Sequence, residues 1–208
     1  MPESSLKALF PTPFLHVVEA IDRQLVMGLM AHARRGKKET NRHTDLLSHT
    51  QVADPQSETI YRELAEAVQE PMRSFGMALF GEDLDWNIKE MWTNVLKKGG
   101  HQALHSHANS FISGVVYLSK SHPDSNTVFY RGLGGRDFTF TNDHEDAEPN
   151  QFNAQKWALQ EVEPGDMVLF PSYLYHEVPT NQGERRVTVA FNAVPARLKS
   201  YDYELKFD

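Results

Sequence analysis

Cysteine is absent from all 208 residues, which excludes disulfides, thiolate nucleophiles, iron–sulfur clusters and cysteine-type zinc sites. Long apolar runs are missing too: none approaches the roughly 20 residues that a membrane-spanning helix needs. The first residues, MPESSLKALFPTPFLHVVEA, lack the basic-then-apolar pattern of a secretory signal. Positive charge is scarce, with 21 basic against 28 acidic side chains and a net charge of −7, which argues against a nucleic-acid partner. Together these absences predict a cytoplasmic protein with no membrane association. What remains is 40% hydrophobic and 24% charged, ordinary for a globular chain of single-domain length. Histidine is the exception, with ten copies. Without thiols, any metal chemistry must run on imidazole and carboxylate.

The chain divides by texture. Ala20 to Arg34 carries Leu25, Val26, Leu29, Met30 and Ala33 at helical spacing, between Asp22 and Gly36. Residues 37–56 are polar and broken, which reads as a loop. A second helix starts near Ser57, with Ile60, Leu64, Ala67 and Val68 on one face. Pro71 kinks or ends it, and Met72, Phe75 and Leu79 extend the apolar face to Gly81. From about Asp85 short β-branched and aromatic segments alternate with turn signals: WNIKEMWTNVL, FISGVVYLS, TVFY, KWALQEV, MVLFPS and RRVTVAFNAV. That spacing predicts an antiparallel sandwich or barrel. The expected organisation is one domain over 1–208: helices in 1–84, a β body in 85–196 and a tail in 197–208.

His105 and His107 bracket Ser106 at the threshold of FISGVVYL, and in extended chain residues i and i+2 share a face. His176 follows MVLFPSYLY at the far end of another strand. Two imidazoles from one strand edge and one from a remote strand can assemble a facial metal triad with open positions opposite. A solvated His-x-His pair is the plain alternative. A helical His101–His105 pair is opposed by the flanking KKGG and the following strand. His16, His32, His43, His49, His122 and His144 show no such framing and read as surface or loop residues. Arg186, Thr188, Ala190 and Asn192 alternate on one face of RRVTVAFN, with Arg185 opposite. A guanidinium inside a barrel needs an anionic partner, either a bound carboxylate or an internal acid.

These residues resemble the iron(II)/2-oxoglutarate dioxygenases, prolyl-hydroxylase-like members in particular, which pair a His-x-acid motif with a distal His and a following Arg-x-Ser. Ser113 and Tyr117-Leu118 are similar to that family's Thr-x-x-x-Tyr-Leu segment. EPGDMVLFPSYLYHEVP is similar to its strand leading into the distal histidine. NVLKKGGHQALHSHANS resembles a bacterial group of 2-oxoglutarate oxygenases with His-x-His-x-Asn-Ser. The likeness covers roughly Asp85 to Pro195 and implies a double-stranded β-helix, the jelly-roll of the cupins, mainly β with N-terminal helices. One departure stands out: His107 occupies the usual carboxylate position, as in the three-histidine sites of some thiol dioxygenases.

The resemblance implies that His105, His107 and His176 hold Fe(II) and that Arg186 grips the distal carboxylate of 2-oxoglutarate. Thr188, the Tyr117 hydroxyl and, on the preceding strand, Asn94 would assist. It implies decarboxylation to succinate with oxidation of a bound substrate, an amino acid, a peptide side chain or another small molecule, by oxygen. Asn109 and Ser110 either orient His107 or serve turn chemistry. Trp92, Phe129 and Trp157 either wall the substrate cavity or fill core. The Gly-rich, then acidic stretch 131–150 reads as a lid or a disordered loop. An exposed edge strand or the helices offer a homodimer face. The competing readings are a cupin-like metal-binding module, an iron oxygenase independent of 2-oxoglutarate, and an interaction domain with incidental histidines.

Overall fold

In a computed structural model that describes residues 4–41, 44, 46–132, 145–146, 148 and 150–207, helix α1 (Arg23–Arg35) starts at a polar cap. Asp22 accepts from the Leu25 amide at 2.8 Å, satisfying one of the donors left over at a helix start. Val26, Leu29 and Ala33, three or four residues apart, are its buried face. The second helical stretch divides into α2 (Thr59–Ala67) and α3 (Gln69–Phe80). The break expected at Pro71 falls at Val68 instead. Pro71 sits in the first turn of α3, where its missing N–H has no helical partner to lose. Gly81 ends α3 with a left-handed φ of 68°, a conformation that costs other residues strain.

The strands are β1 (Leu15–Val17), β2 (Lys38–Thr40), β3 (Leu47–Thr50), β4 (Trp86–Lys97), β5 (Gln102–His105), β6 (Ile112–Tyr117) and β7 (Val128–Tyr130). They continue with β8 (Lys156–Ala158), β9 (Met167–Pro171), β10 (His176–Val178), β11 (Arg185–Pro195), β12 (Arg197–Ser200) and β13 (Tyr203–Lys206). Seven form one sheet in the order β1-β9-β6-β11-β4-β3-β2, and four form a second in the order β5-β10-β7-β8. Every pairing between described strands is antiparallel. The punctuated strands thus form the antiparallel sandwich expected of them, and it is the jelly-roll that the family resemblance implied. Residues 37–56 correct the loop reading, because they contain β2 and β3. Residues 197–206, expected as a tail, form the β12–β13 hairpin.

The seven-stranded sheet is sided by strict alternation. One face, with Met91, Val95, Val187, Val189, Phe191 and Ala193, packs against the buried faces of the three helices. The other turns toward the smaller sheet. There Tyr117, Phe129, Val168 and Phe170 form a second core, and the polar residues of β4 and β11 face a cavity. Packing across β6 and β11 is close enough to demand glycine: a Cβ on Gly114 would lie 2.1 Å from Phe191 Cζ. Among the described residues no helix is long and apolar enough to cross a membrane.

Candidate metal centre and anion pocket

His105 ends β5 and His176 opens β10, and the two are direct partners across the antiparallel ladder. This register brings them together, since side chains of opposed residues stand on the same face. His176 therefore begins a strand of the smaller sheet and does not end the MVLFPS strand. Likewise His105 closes its own short strand, and His107 follows in the turn, its amide donating to the Ser172 carbonyl at 2.9 Å. Ring centroids of His105 and His176 are 4.2 Å apart, and those of His107 lie 5.1 and 5.2 Å from them. One nitrogen from each ring falls within 4.8 Å of the others. These distances suit convergence on one ion.

The tautomers are partly preset. His105 Nδ1 lies 2.7 Å from the Ala103 carbonyl and His176 Nδ1 lies 2.9 Å from the Leu174 carbonyl. A carbonyl only accepts, so both rings carry their proton on Nδ1 and present an Nε2 lone pair. His107 differs. Its Nδ1 lies 3.3 Å from Asn192 Nδ2, which also donates to Glu90 Oε1 at 2.7 Å. The amide edge facing His107 is thus the NH2 edge, and Nδ1 is the acceptor. Asn192 is fixed from behind by Ser113 Oγ, 2.7 Å from its Oδ1, with Ser172 Oγ 2.9 Å beyond.

Burial, then the charge of His105, pushes His176 down to about 3 and His107 to about 4. Burial lowers His105 as well. The triad is neutral at physiological pH, the form a metal requires. Depressed folded-state values mean that the unfolded chain takes up protons first, so this stability is complete above pH 6.5 and is lost as pH falls. By pH 5 the loss amounts to roughly 2 kcal/mol for each of His107 and His176. Urea titrations of the metal-free protein should show the midpoint falling between pH 7 and pH 5. An unchanged midpoint would refute the buried neutral triad.

The histidines open onto a cavity of about 320 Å³, also lined by His49, Glu90, Trp92, Asn94, Thr127, Arg186 and Thr188. Its size is within the range of small-ligand sites. Arg186 is 5% exposed. Its Nη2 reaches Thr127 Oγ1 at 3.2 Å and the Tyr117 hydroxyl at 3.5 Å, and its guanidinium lies 5.2 Å from the Tyr117 ring centre. Its Nε is buried without a partner. No carboxylate among the described residues pairs with it, so the internal-acid reading of Arg186 has no support there. A buried guanidinium without a carboxylate partner, facing a cavity, has the chemistry to receive an anion there.

The other expected residues distribute as follows. Thr188 and Asn94, register partners on β11 and β4, both line the cavity. Tyr117 lies behind the wall and acts on it through Arg186 and Thr127. Asn109 adopts a left-handed φ of 57° and Ser110 Oγ is buried without a partner; the polar partner of His107 is Asn192. Trp92 lines the cavity, whereas Phe129 packs in the second core and Trp157 packs on Phe14 and Phe129. Of the histidines read as surface or loop, His49 lines the cavity and His16 pairs with Asp166 at 3.2 Å. His43 and His144 lie outside the described residues, as does most of the expected lid in 131–150. Thr127, Glu90 and Asn192 received no role from sequence. Glu90 shares the parity of Asn94 on β4, and that signal could have found it.

Residues 90–192 match a family model described as "Putative 2OG-Fe(II) oxygenase". That span runs from Glu90 to Asn192 and contains all three histidines and Arg186. These residues, which hold the site, belong to the 2OG-Fe(II) oxygenase family. The oxygenase is thus an oxidoreductase using iron(II) and 2-oxoglutarate. No curated protein matches its sequence, but its fold is shared with solved structures. The epimerase SnoN from nogalamycin biosynthesis has 15% identity and a TM-score of 0.64, covering 90% of this chain and 80% of its own. HygX from Streptomyces hygroscopicus, with nickel and 2-oxoglutarate bound, has 15% identity and 0.62, covering 89% and 84%. A Pseudomonas putida prolyl-4-hydroxylase has 16% identity and 0.61, covering 88% and 92%.

Proposed function

We propose that His105, His107 and His176 hold the iron(II) of this oxygenase, and that Arg186 receives the distal carboxylate of 2-oxoglutarate. The observation that carries the reading is the unneutralised Arg186 guanidinium, buried in the cavity that the three imidazoles share. Two imidazoles preset to present Nε2, with a third that joins them once its contact with Asn192 is exchanged, fit a facial iron site. When bound, iron(II) and 2-oxoglutarate together supply the oxygen activation that couples decarboxylation to succinate with substrate oxidation.

The chain's own residues do the rest. Arg186 offers Nε and Nη donors in a planar fork that suits a carboxylate. Thr127 and Tyr117 hold that fork in place, and Thr188 and Asn94 add polar groups to the same wall. The Ala103 and Leu174 carbonyls fix two imidazole tautomers. Val115, Phe170 and Ala190 give the cavity an apolar floor, which excludes water and strengthens every polar contact inside. A small-molecule substrate fits the cavity's size, and likeness in fold to HygX and SnoN, solved with hygromycin B and with nogalamycin RO, supports that class. A cysteine-free enzyme that keeps iron ferrous suits the reducing cytoplasm.

The test is calorimetric. 2-Oxoglutarate should bind the Fe(II)-loaded protein one to one under anaerobic conditions, and admitting oxygen should yield succinate. Binding that is independent of metal, or no binding, would overturn the assignment.

A further inference from the structure

The cavity has a second charged end that iron and 2-oxoglutarate leave unused. Glu90 is the one carboxylate among the described residues that line it. Its Oε1 is held by Asn192 at 2.7 Å, and Asn192 is itself 2% exposed and braced by Ser113. No lysine or arginine among the described residues neutralises Glu90. Alternation along β4 puts Trp92 on the same face, and Trp92 also lines the cavity. Val52, 59% exposed, adds an apolar group to the lining. A half-buried carboxylate braced by neutral donors lowers its free energy by meeting a cation. An aromatic face beside it favours an ammonium.

Resting on the iron and 2-oxoglutarate reading above, we propose that the primary substrate carries an ammonium group on an aliphatic stem, and that Glu90 with Trp92 is the subsite that takes it. The charge balance agrees. Arg186 is matched to one carboxylate of the dianion. A triad without a carboxylate leaves the iron end more positive than in a His-x-acid site, so Glu90 offsets the repulsion an arriving ammonium meets. The net charge of −7 favours cations on approach. The two hydrogen bonds of Asn192 Nδ2, 2.7 and 3.3 Å long, keep Glu90 Oε1 within 6.0 Å of His107 Nδ1. An ammonium anchored there confines the oxidised carbon to a few bonds from the nitrogen.

The test uses nickel(II)-loaded protein saturated with 2-oxoglutarate, titrated with n-butylamine, cadaverine and L-lysine against the uncharged 1-butanol and 1,5-pentanediol. At least one of the three amines should bind, the neutral-stem analogues should not, and Glu90→Gln should weaken amine binding by about tenfold or more. Gln keeps an acceptor for Asn192 but holds it less tightly, so 2-oxoglutarate affinity should stay within about twofold of wild type and nickel affinity should not fall. The proposal is overturned if no amine binds, if the two alcohol controls bind equally, or if Glu90→Gln leaves amine binding intact. It is also overturned if Glu90→Gln lowers nickel affinity without amine present, since Glu90 then serves the metal. Failure of wild type to bind 2-oxoglutarate in the same titration would instead sink the reading beneath it.

Discussion

Replacing Arg186 with Met should stabilise the ligand-free protein while weakening 2-oxoglutarate binding by about 100-fold or more. The two effects have one cause. Arg186 is 5% exposed, its Nε has no partner, and its Nη2 contacts are hydroxyls at 3.2 and 3.5 Å. Without ligand the guanidinium has given up water for two neutral oxygens and a ring face. Exchanging even a buried ion pair for apolar side chains of similar volume is often neutral or stabilising by about 1 to 4 kcal/mol, and an unpaired guanidinium has no Coulombic partner to offset its burial. With ligand the sign reverses, because the carboxylate would meet Thr127, Thr188 and Asn94 alone. Losing the charged partner of a buried pair costs about 2 to 5 kcal/mol. Arg186→Lys should fall between, keeping charge but losing the planar fork. Thermal melts of the metal-free protein and calorimetry with 2-oxoglutarate separate the two effects. A less stable Arg186→Met that binds 2-oxoglutarate normally would show that Arg186 is structural.

Legibility in the sequence followed the strength of alternation. RRVTVAFN lies in β11 at the centre of the large sheet, with both faces buried against different partners. Its period of two therefore sorted Arg186, Thr188 and Asn192 from Val187, Val189 and Phe191 without coordinates. β3 has no such pattern. LSHT is a short polar strand near the sheet's outer side, stabilised by backbone pairing with β4, so His49 looked like a loop residue. β13 of the terminal hairpin likewise has no buried face to mark it, since all four of its residues are exposed, Tyr203 and Leu205 included. Which histidines meet was only half legible. His105 and His107 are close by spacing, but His176 joins them through β5–β10 register, a property of the ladder and of no local segment. The environment of His107 was hidden for the same reason, because Asn192 and Glu90 reach it from β11 and β4.

Substitutions at the three proposed ligands should not be equal. His105→Ala and His176→Ala each remove a ring whose Nε2 is preset by a backbone carbonyl. Each should lower iron affinity by more than the roughly 10- to 100-fold that loss of an outer partner costs. His107→Ala should cost less. Its ring faces the NH2 edge of Asn192, so its Nδ1 lone pair is engaged and a proton sits on Nε2. To ligate through Nε2, His107 must move that proton or the amide must turn, and Glu90 and Ser113 oppose turning by holding both ends of Asn192. That reorganisation is subtracted from whatever the third imidazole contributes. A carboxylate at 107 needs no proton shift, and the NH2 edge suits an acceptor oxygen. His107→Asp should accordingly bind iron at least as tightly as wild type, while His107→Ala binds more weakly. Anaerobic Fe(II) competition titrations across the four variants give the order. If His107→Ala proves as damaging as His176→Ala and His107→Asp fails to bind iron, then His107 is an equal ligand and Asn192 must turn when the metal enters.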